Sequence, residues 1–394
     1  MSEKLQRLTN PVFQDFVIQN EQVDINDLIL GKTPESIDAR EAAEQILSRR
    51  KAREKLPTWY ATSGLVFPPP LSIEQSSSEQ TALYKKTILQ GQHLIDLTGG
   101  MGVDLITLSE NFNRATHVEI DPWLSSVFKY NASKLTNSSI QSSNQSAEDF
   151  LGGFEGRASF FIDPARRDSD KKKVFLFEDC SPNVVSLLNS FREKAQQVLV
   201  KAAPMIDIKL GIQQLKFVKE VHVVSLENEC KEVLFLLDFE MEYEPEIHCI
   251  NLKKGGMESF RFHYQNEKDT EVVYSPLLKY IYEPNASIRK AGAFKAIASH
   301  YQLNKVAPNT HLYISEDLNP SFPGRIFEVQ SEVNKRNIKT LFPNQKANVI
   351  SKNHPLTSEQ LKKKLNLKDG GEQFVLAFRD QSNKPQMVVC TRIT

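Results

Sequence analysis

The chain has 394 residues, a hydrophobic fraction of 40 %, and 49 Lys and Arg against 49 Asp and Glu. That length allows two or three domains and the composition is that of a soluble globular protein, while the zero net charge leaves any nucleic-acid partner to local basic patches. No apolar run approaches the roughly 20 residues of a membrane helix, and MSEKLQRLTN lacks the pattern of a secretory signal. Four scattered cysteines without CxxC spacing and eight histidines without an HExxH partner point away from disulfides and from a metal site, and fit the cytoplasm.

Residues 1–90 read as a helical N-terminal region. In KTPESIDAREAAEQILSRRKAREK, Thr33 is placed to cap a helix with Pro34 at its first position, and Pro57 ends the run. The proline-rich LVFPPPLSIEQSSSEQ then leads into another helix, with Ser76 to Ser78 as caps. From Gly91 short apolar runs alternate with amphipathic segments: HLIDLT, ATHVEI, SSIQSS, ASFFID, QVLVKAA, EVHVVSLE and KEVLFLLDFE. This alternation predicts an α/β domain over 91–243, a mostly parallel sheet with helices on both faces. The last two runs are a hairpin's length apart, so one strand must be antiparallel. Small α+β pieces follow over 244–320 and 321–394. The first carries a capped helix from Asn285 to His300, and the second reads strand, helix, strand, helix, strand, with TSEQLKKKLNL its clearest helix.

HLIDLTGGMGVDLITL is a strand, a glycine turn and a helix start, a junction at the carboxyl edge of the sheet where ligands bind. Gly99, Gly100 and Gly102 would let the backbone approach a ligand closely. A dinucleotide fingerprint would need a glycine where Leu105 stands, and Asp96 would repel a pyrophosphate. Glu119, at the end of the second strand, can hold both hydroxyls of a ribose. Two acids so placed ask for a nucleoside with a cationic or zwitterionic portion, which S-adenosylmethionine supplies. Asp121 reads as the cap of the helix starting at Pro122.

DLTGGMGVD resembles the first motif of the class I S-adenosylmethionine-dependent methyltransferases, VEIDP resembles their second, and the hairpin-joined last strands resemble their antiparallel seventh strand. The resemblance covers about 90–240 and implies a Rossmann-like sheet with S-adenosylmethionine as cofactor. It assigns Asp96, Thr98, Gly99, Gly100 and Gly102 to the methionine end and Glu119 to the ribose. NQSAEDFL resembles the adenine-binding segment, with Ser146 where an acid is usual and Ala147 and Glu148 beside the base. LSIEQSSSE resembles the segment that closes over the methionine carboxylate, although plain helix capping suits it equally.

The fourth strand runs into ASFFIDPARRDSDKKK. DPAR stands where many nucleic-acid methyltransferases carry Asp/Asn-Pro-Pro-aromatic, which puts Asp163 and Pro164 at the acceptor. Arg166 replaces the aromatic residue and, with Arg167, would stack on a base or grip phosphate; a solvated basic loop is the other reading. Cys180 in EDCSPN reads as buried filler rather than a nucleophile.

Residues 331–394 hold 12 Lys and Arg against 5 Asp and Glu, whereas 220–250 hold nine acids and one lysine. A basic C-terminal module suits RNA delivery, with Lys362 and Lys363 on phosphates; a solubilising helix face is the alternative. ANVISKNHPLTSEQLKKKLNLKDGGEQFVLAF resembles the THUMP-like module, and YEPNASIRKAG with FPGRIFEV resembles the small ferredoxin-like region that precedes it. In that order of parts the chain resembles bacterial THUMP-like methyltransferases. The resemblance implies cytoplasmic methyl transfer to a base or nucleoside of RNA, by in-line displacement with Asp163 at the acceptor. A small-molecule or protein substrate, and a non-catalytic RNA-binding protein with a degenerate cofactor fold, remain open at this level.

Overall fold

The structure is a computed structural model that describes residues 2–166, 176–242, 244–333 and 337–393. It divides into two compact units: the chain up to Val221 with Glu232–Glu244, and His222–Lys231 with the chain from Pro245 onward.

In the first unit, helices Glu3–Leu8, Pro11–Gln19 and Ile25–Leu30 pack Leu5, Leu8, Phe13, Val17 and Leu28 against Ile37, Ala42, Ala43 and Ile46. Helix α1 (Ala39–Lys55) is capped by Asp38 rather than by Thr33, as the sequence had suggested. The Asp38 carboxylate accepts the N–H groups of Arg40 and Glu41 at 2.8 and 2.9 Å, and its charge suits a helix N-terminus better than a hydroxyl does. Pro57 ends α1 and opens a one-turn helix of its own. Helices α2 (Pro70–Gln75) and α3 (Glu79–Lys85) follow, α3 capped by the Ser78 hydroxyl.

The sheet of this unit is built from β1 (His93–Asp96), β2 (Arg114–Val118), β3 (Ile140–Ser143), β4 (Ala158–Ile162) and β5 (Ala195–Ala202), with the start of β6 (Val218–Leu226) and most of β7 (Glu229–Leu237), whose His222–Lys231 hairpin end is counted with the second unit. Their order is β3-β2-β1-β4-β5-β7-β6. Strands β1 to β5 pair in parallel and β7 runs antiparallel to β5, as the hairpin-length gap demands. Strand β4 is buried along its whole length, as expected of a central parallel strand. Helices α4 (Val103–Ser109), α5 (Pro122–Leu135), α6 (Ala147–Gly153), α7 (Val184–Lys194) and α8 (Ile208–Leu215) form the crossovers. Asp121 caps α5, accepting from Trp123 and Leu124. The strand order reverses between β1 and β4, which fixes a ligand crevice outside their carboxyl ends.

The second unit holds a hairpin of β8 (Glu246–Lys253) and β9 (Gly256–Phe262) and a seven-stranded sheet. The sheet consists of β10 (Tyr280–Pro284), β11 (Asn304–Ala307), β12 (Thr310–Ser315), β13 (Gly324–Glu332), β14 (Asn348–Lys352), β15 (Gln373–Arg379) and β16 (Pro385–Arg392), in the order β11-β12-β10-β13-β16-β15-β14. The helix expected over 285–300 is two helices, α9 (Ala286–Ala291) and α10 (Ala296–His300). Asn285 caps the first, and Gly292, in the left-handed region at φ 76°, ends it. The last strand expected of the tail is a hairpin of two, β15 and β16. Helix α11 (Ser358–Leu365) starts with a capping box between Thr357 and Gln360. No helix among the described residues is long and apolar enough to cross a membrane.

Candidate active site

At the carboxyl ends of β1 and β4 a cleft is lined by Asp96, Thr98, Gly99, Gly100, Gly102, Asp104 and Asp163, with Ser72 and Gln75 to Ser77 forming one wall. Six residues singled out from the sequence thus meet at one place, and residues of LSIEQSSSE form one wall of it. Thr98 ties the two strand ends together: its N–H donates to Asp96 Oδ1 at 3.0 Å, and its hydroxyl accepts the N–H of Asp163 at 2.7 Å. Asp96 is 2 % exposed. Burial pushes its carboxyl well above the usual range, and Asp104, Asp163 and Glu119 add repulsion against one opposing hydrogen bond from Thr98. A cation entering the cleft would relieve that penalty.

A Cβ on Gly99 would lie 2.3 Å from the His117 ring, and one on Gly102 (φ +91°) would lie 2.4 Å from Phe128. The space those glycines leave is taken by the protein's own rings. At Gly100 (φ +51°) a Cβ would meet nothing nearer than 3.8 Å, and all three glycines line the cleft. His117 stacks on Phe128 with centroids 3.7 Å apart, and its ring nitrogens lie 3.1 Å from Gly100 O and 3.2 Å from Ser142 Oγ. Burial lowers its pKa to about 4, so the ring is neutral. Its inward position in the alternating run THVEI is the only sequence signal of this support.

Glu119 borders the turn without lining the cleft. Its carboxylate accepts the N–H groups of Gly100 and Asp121 at 2.7 and 2.8 Å, so holding a ribose would mean sharing or exchanging those bonds. Ala147 is buried in the first turn of α6, Glu148 is exposed beside it, and neither lines the cleft; Ser146 caps the helix. Pro164 is buried, and the exposed Arg166 forms a two-residue antiparallel ladder with Cys180, away from the cleft lining. Arg167 lies outside the described residues. Cys180 is buried, as expected of filler. Lys362 and Lys363 stand on α11 in the second unit, where Lys362 pairs with Glu359 at 2.5 Å and Asp369 at 2.8 Å, and Lys363 is exposed.

Two lysines that no motif announced complete the site. Lys201 Nζ lies 2.5 Å from Asp163 Oδ2. Lys85, fully buried, lies 2.7 and 2.8 Å from the Glu232 oxygens, 3.1 Å from Asp104 Oδ1 and 3.0 Å from Ser77 Oγ, and the Ser77 hydroxyl donates to Asp104 Oδ2 at 2.7 Å. Burial alone would raise the Asp104 pKa, but Lys85 and Lys201 outweigh it and hold the carboxyl below its ordinary value. For Glu232 burial wins over the same lysines and the pKa is raised. Burial would lower Lys201, yet Asp163, Asp104 and Glu232 together raise it, so the ammonium keeps its proton.

Residues 280–323 match a family described as a ferredoxin-like domain, and residues 324–392 one described as THUMP domain-like. A crystal structure from Porphyromonas gingivalis W83, whose name places it provisionally among the methyltransferases, covers 100 % of both chains with a TM-score of 0.88 at 28 % identity. Two curated proteins, from the H37Rv and CDC 1551 strains of Mycobacterium tuberculosis, are named uncharacterized S-adenosylmethionine-dependent methyltransferases. They are 24 % identical over 264 residues, which is 66 % of this chain and 69 % of theirs. The chain is a class I S-adenosylmethionine-dependent methyltransferase. In this methyltransferase the ferredoxin-like and THUMP-like matches meet between Pro323 and Gly324, and both lie within the second compact unit.

Proposed function

We propose that the enzyme methylates a nucleoside of RNA, with Asp96, Thr98 and Gly100 at the cationic end of the cofactor, Glu119, Ala147 and Glu148 toward its nucleoside, and Asp163 at the acceptor. The observation that carries this reading is that Asp96 and Asp163 line one cleft and are joined through Thr98. S-adenosylmethionine, when bound, supplies an electrophilic methyl group. The protein's share is alignment and charge. Asp96 offers a buried carboxylate to a cation, the Ser72–Ser77 wall offers hydroxyls and amides to a carboxylate, and the tie through Thr98 sets the distance between donor and acceptor ends.

RNA as the acceptor is supported by the THUMP domain-like match and by the charge of the second unit. There Glu283, 2 % exposed, is held by Arg289 at 2.9 Å, Arg325 Nε at 2.8 Å and Lys352 at 2.6 Å, one carboxylate among three cations. The excess positive charge suits phosphodiesters. Arg166, Arg167 and Lys363 fit the same role, and Lys362 less so because Glu359 and Asp369 already neutralise it. This reading divides the chain into a helical region (1–90), a methyltransferase domain (91–243), a ferredoxin-like region (244–320) and a THUMP-like delivery module (321–394), working in the cytoplasm, where its four cysteines stay thiols.

Full-length protein incubated with methyl-labelled cofactor and total cellular RNA should label RNA, and Asp96→Ala should abolish the signal. Label confined to protein or small metabolites would overturn the RNA assignment.

A further inference from the structure

The geometry points to a divalent-metal site, suited to zinc, in which His222 and His248 are joined as ligands by Glu220 and Glu246 holds the His248 ring. Each histidine ends a Glu-x-His triplet, Glu220-Val221-His222 on β6 and Glu246-Ile247-His248 on β8. Successive side chains of a strand point to opposite faces, so each glutamate shares the face of its own histidine. The end of β6 that begins at His222 belongs to the second unit and lies beside β8. There the two imidazoles meet with centroids 4.3 Å apart and planes inclined by 35°. Both are buried, at 4 % and 5 % exposure. The eight histidines had pointed away from a metal because none has HExxH spacing, but that spacing belongs to a helix. On strands the signal is a period of two, and here it occurs twice.

A ring nitrogen of His222 and one of His248 lie within 4.8 Å of each other. Zinc bonds of about 2.0–2.1 Å set tetrahedral ligand atoms roughly 3.4 Å apart, so side-chain rotations of about an ångström close the pair on an ion. Glu220, two positions ahead of His222 on the same strand, brings a carboxylate to that face. Glu246 Oε2 lies 2.7 Å from His248 Nε2, the hold by which a carboxylate orients a metal-binding imidazole and leaves its other nitrogen to the ion. Arg261 approaches Glu246 Oε2 only to 3.8 Å, beyond hydrogen-bond range, from a side chain that is 63 % exposed. Two imidazoles and a carboxylate are the wrong donors for Mg2+ and Ca2+, which take oxygen, and the right ones for zinc, which they bind more tightly than Mn2+ or Fe2+. None of these four residues lines the methyltransferase cleft. The ion therefore clips two strands together and takes no part in methyl transfer, and the site stands whether or not the substrate is RNA.

The test has a part that needs no variant. Full-length wild-type protein, stripped with a chelator, is titrated with Zn2+ by calorimetry and with Co2+ in the visible spectrum. A single zinc ion per chain, a higher melting temperature with zinc, and the cobalt bands of a four-coordinate ion are expected. Mg2+ at the same concentration should leave the melt unchanged. His222→Gln and His248→Gln should each weaken zinc binding by about 100-fold, and Glu246→Gln by about tenfold, while affinity for S-adenosylmethionine stays at the wild-type value. The Glu246 side chain is 37 % exposed, so its variant tests the site without opening the core. No saturable zinc binding, a six-coordinate cobalt spectrum, or zinc affinity unchanged in the histidine variants overturns the inference.

Discussion

Two ionic clusters, one in each unit, are built on opposite arithmetic. Around the cleft the carboxylates of Asp96, Asp104, Asp163 and Glu232 face the two ammonium groups of Lys85 and Lys201. In the second unit Glu283 alone faces Arg289, Arg325 and Lys352. Formally one is two negative charges in excess and the other two positive. Burial trims the first surplus by pushing Asp96 and Glu232 toward their neutral forms. Excess charge in a half-buried site is costly unless a ligand of opposite sign completes it. The contrast accords with the cation proposed for the first cluster and the polyanion proposed for the second.

The strongest way to break the first cluster is Lys85→Met, which leaves Asp104 and Glu232 without the ammonium that contacts both, and with Lys201 as the remaining cation beside them. A loss of about 3–5 kcal/mol in urea unfolding is expected; an unchanged midpoint would mean that these acids are already neutral. Glu283→Gln breaks the second cluster by leaving three cations without an anion. Destabilisation of about 3 kcal/mol is expected, partly reversed when heparin is added to the melt, and no recovery with polyanion would contradict the charge assignment.

Acid titration separates the two by pH. His117 is held neutral with a pKa of about 4 against an ordinary 6.5. Below pH 6.5 the unfolded chain takes up a proton that the folded chain refuses, so stability falls between pH 6.5 and about 4, by about 3 kcal/mol in all. Glu283 acts lower. Burial would raise its pKa, but Lys352, Arg325 and Arg289 hold it below 4.5, so its contribution is complete above that value and is lost as pH falls through the depressed one. A first loss of stability absent from His117→Gln and a second absent from Glu283→Gln are the expected outcome in chemical unfolding at stepped pH. The smallest effect is that of Lys352→Gln. It should weaken RNA binding several-fold and reduce the slope of log affinity against log salt by about one, with a melt close to wild type.

What the sequence revealed was local. Asp96, Thr98, Gly100 and Asp163 lie within a few residues of a strand end, so a strand–turn reading finds them. Lys85 and Lys201 lie in the runs TALYKK and QVLVKAA, where nothing nearby marks them. Their partners Glu232 and Asp163 are 147 and 38 residues away, and only the strand order brings them together. The shift of the first long helix from Thr33 to an Asp38 cap shows the same limit at short range, because two plausible caps competed and the carboxylate prevailed. The expected 285–300 helix was lost to Gly292, a left-handed stop that an apolar periodicity conceals.

The imidazole behind the turn changes how mutagenesis there should be interpreted. An alanine at position 99 or 102 collides with His117 or Phe128 before any nucleoside enters, so lost activity at either position would register a displaced aromatic stack. Position 100 is where a side chain projects into open volume, so substitution there spares the aromatic wall and strains only the left-handed backbone of the turn (φ +51°).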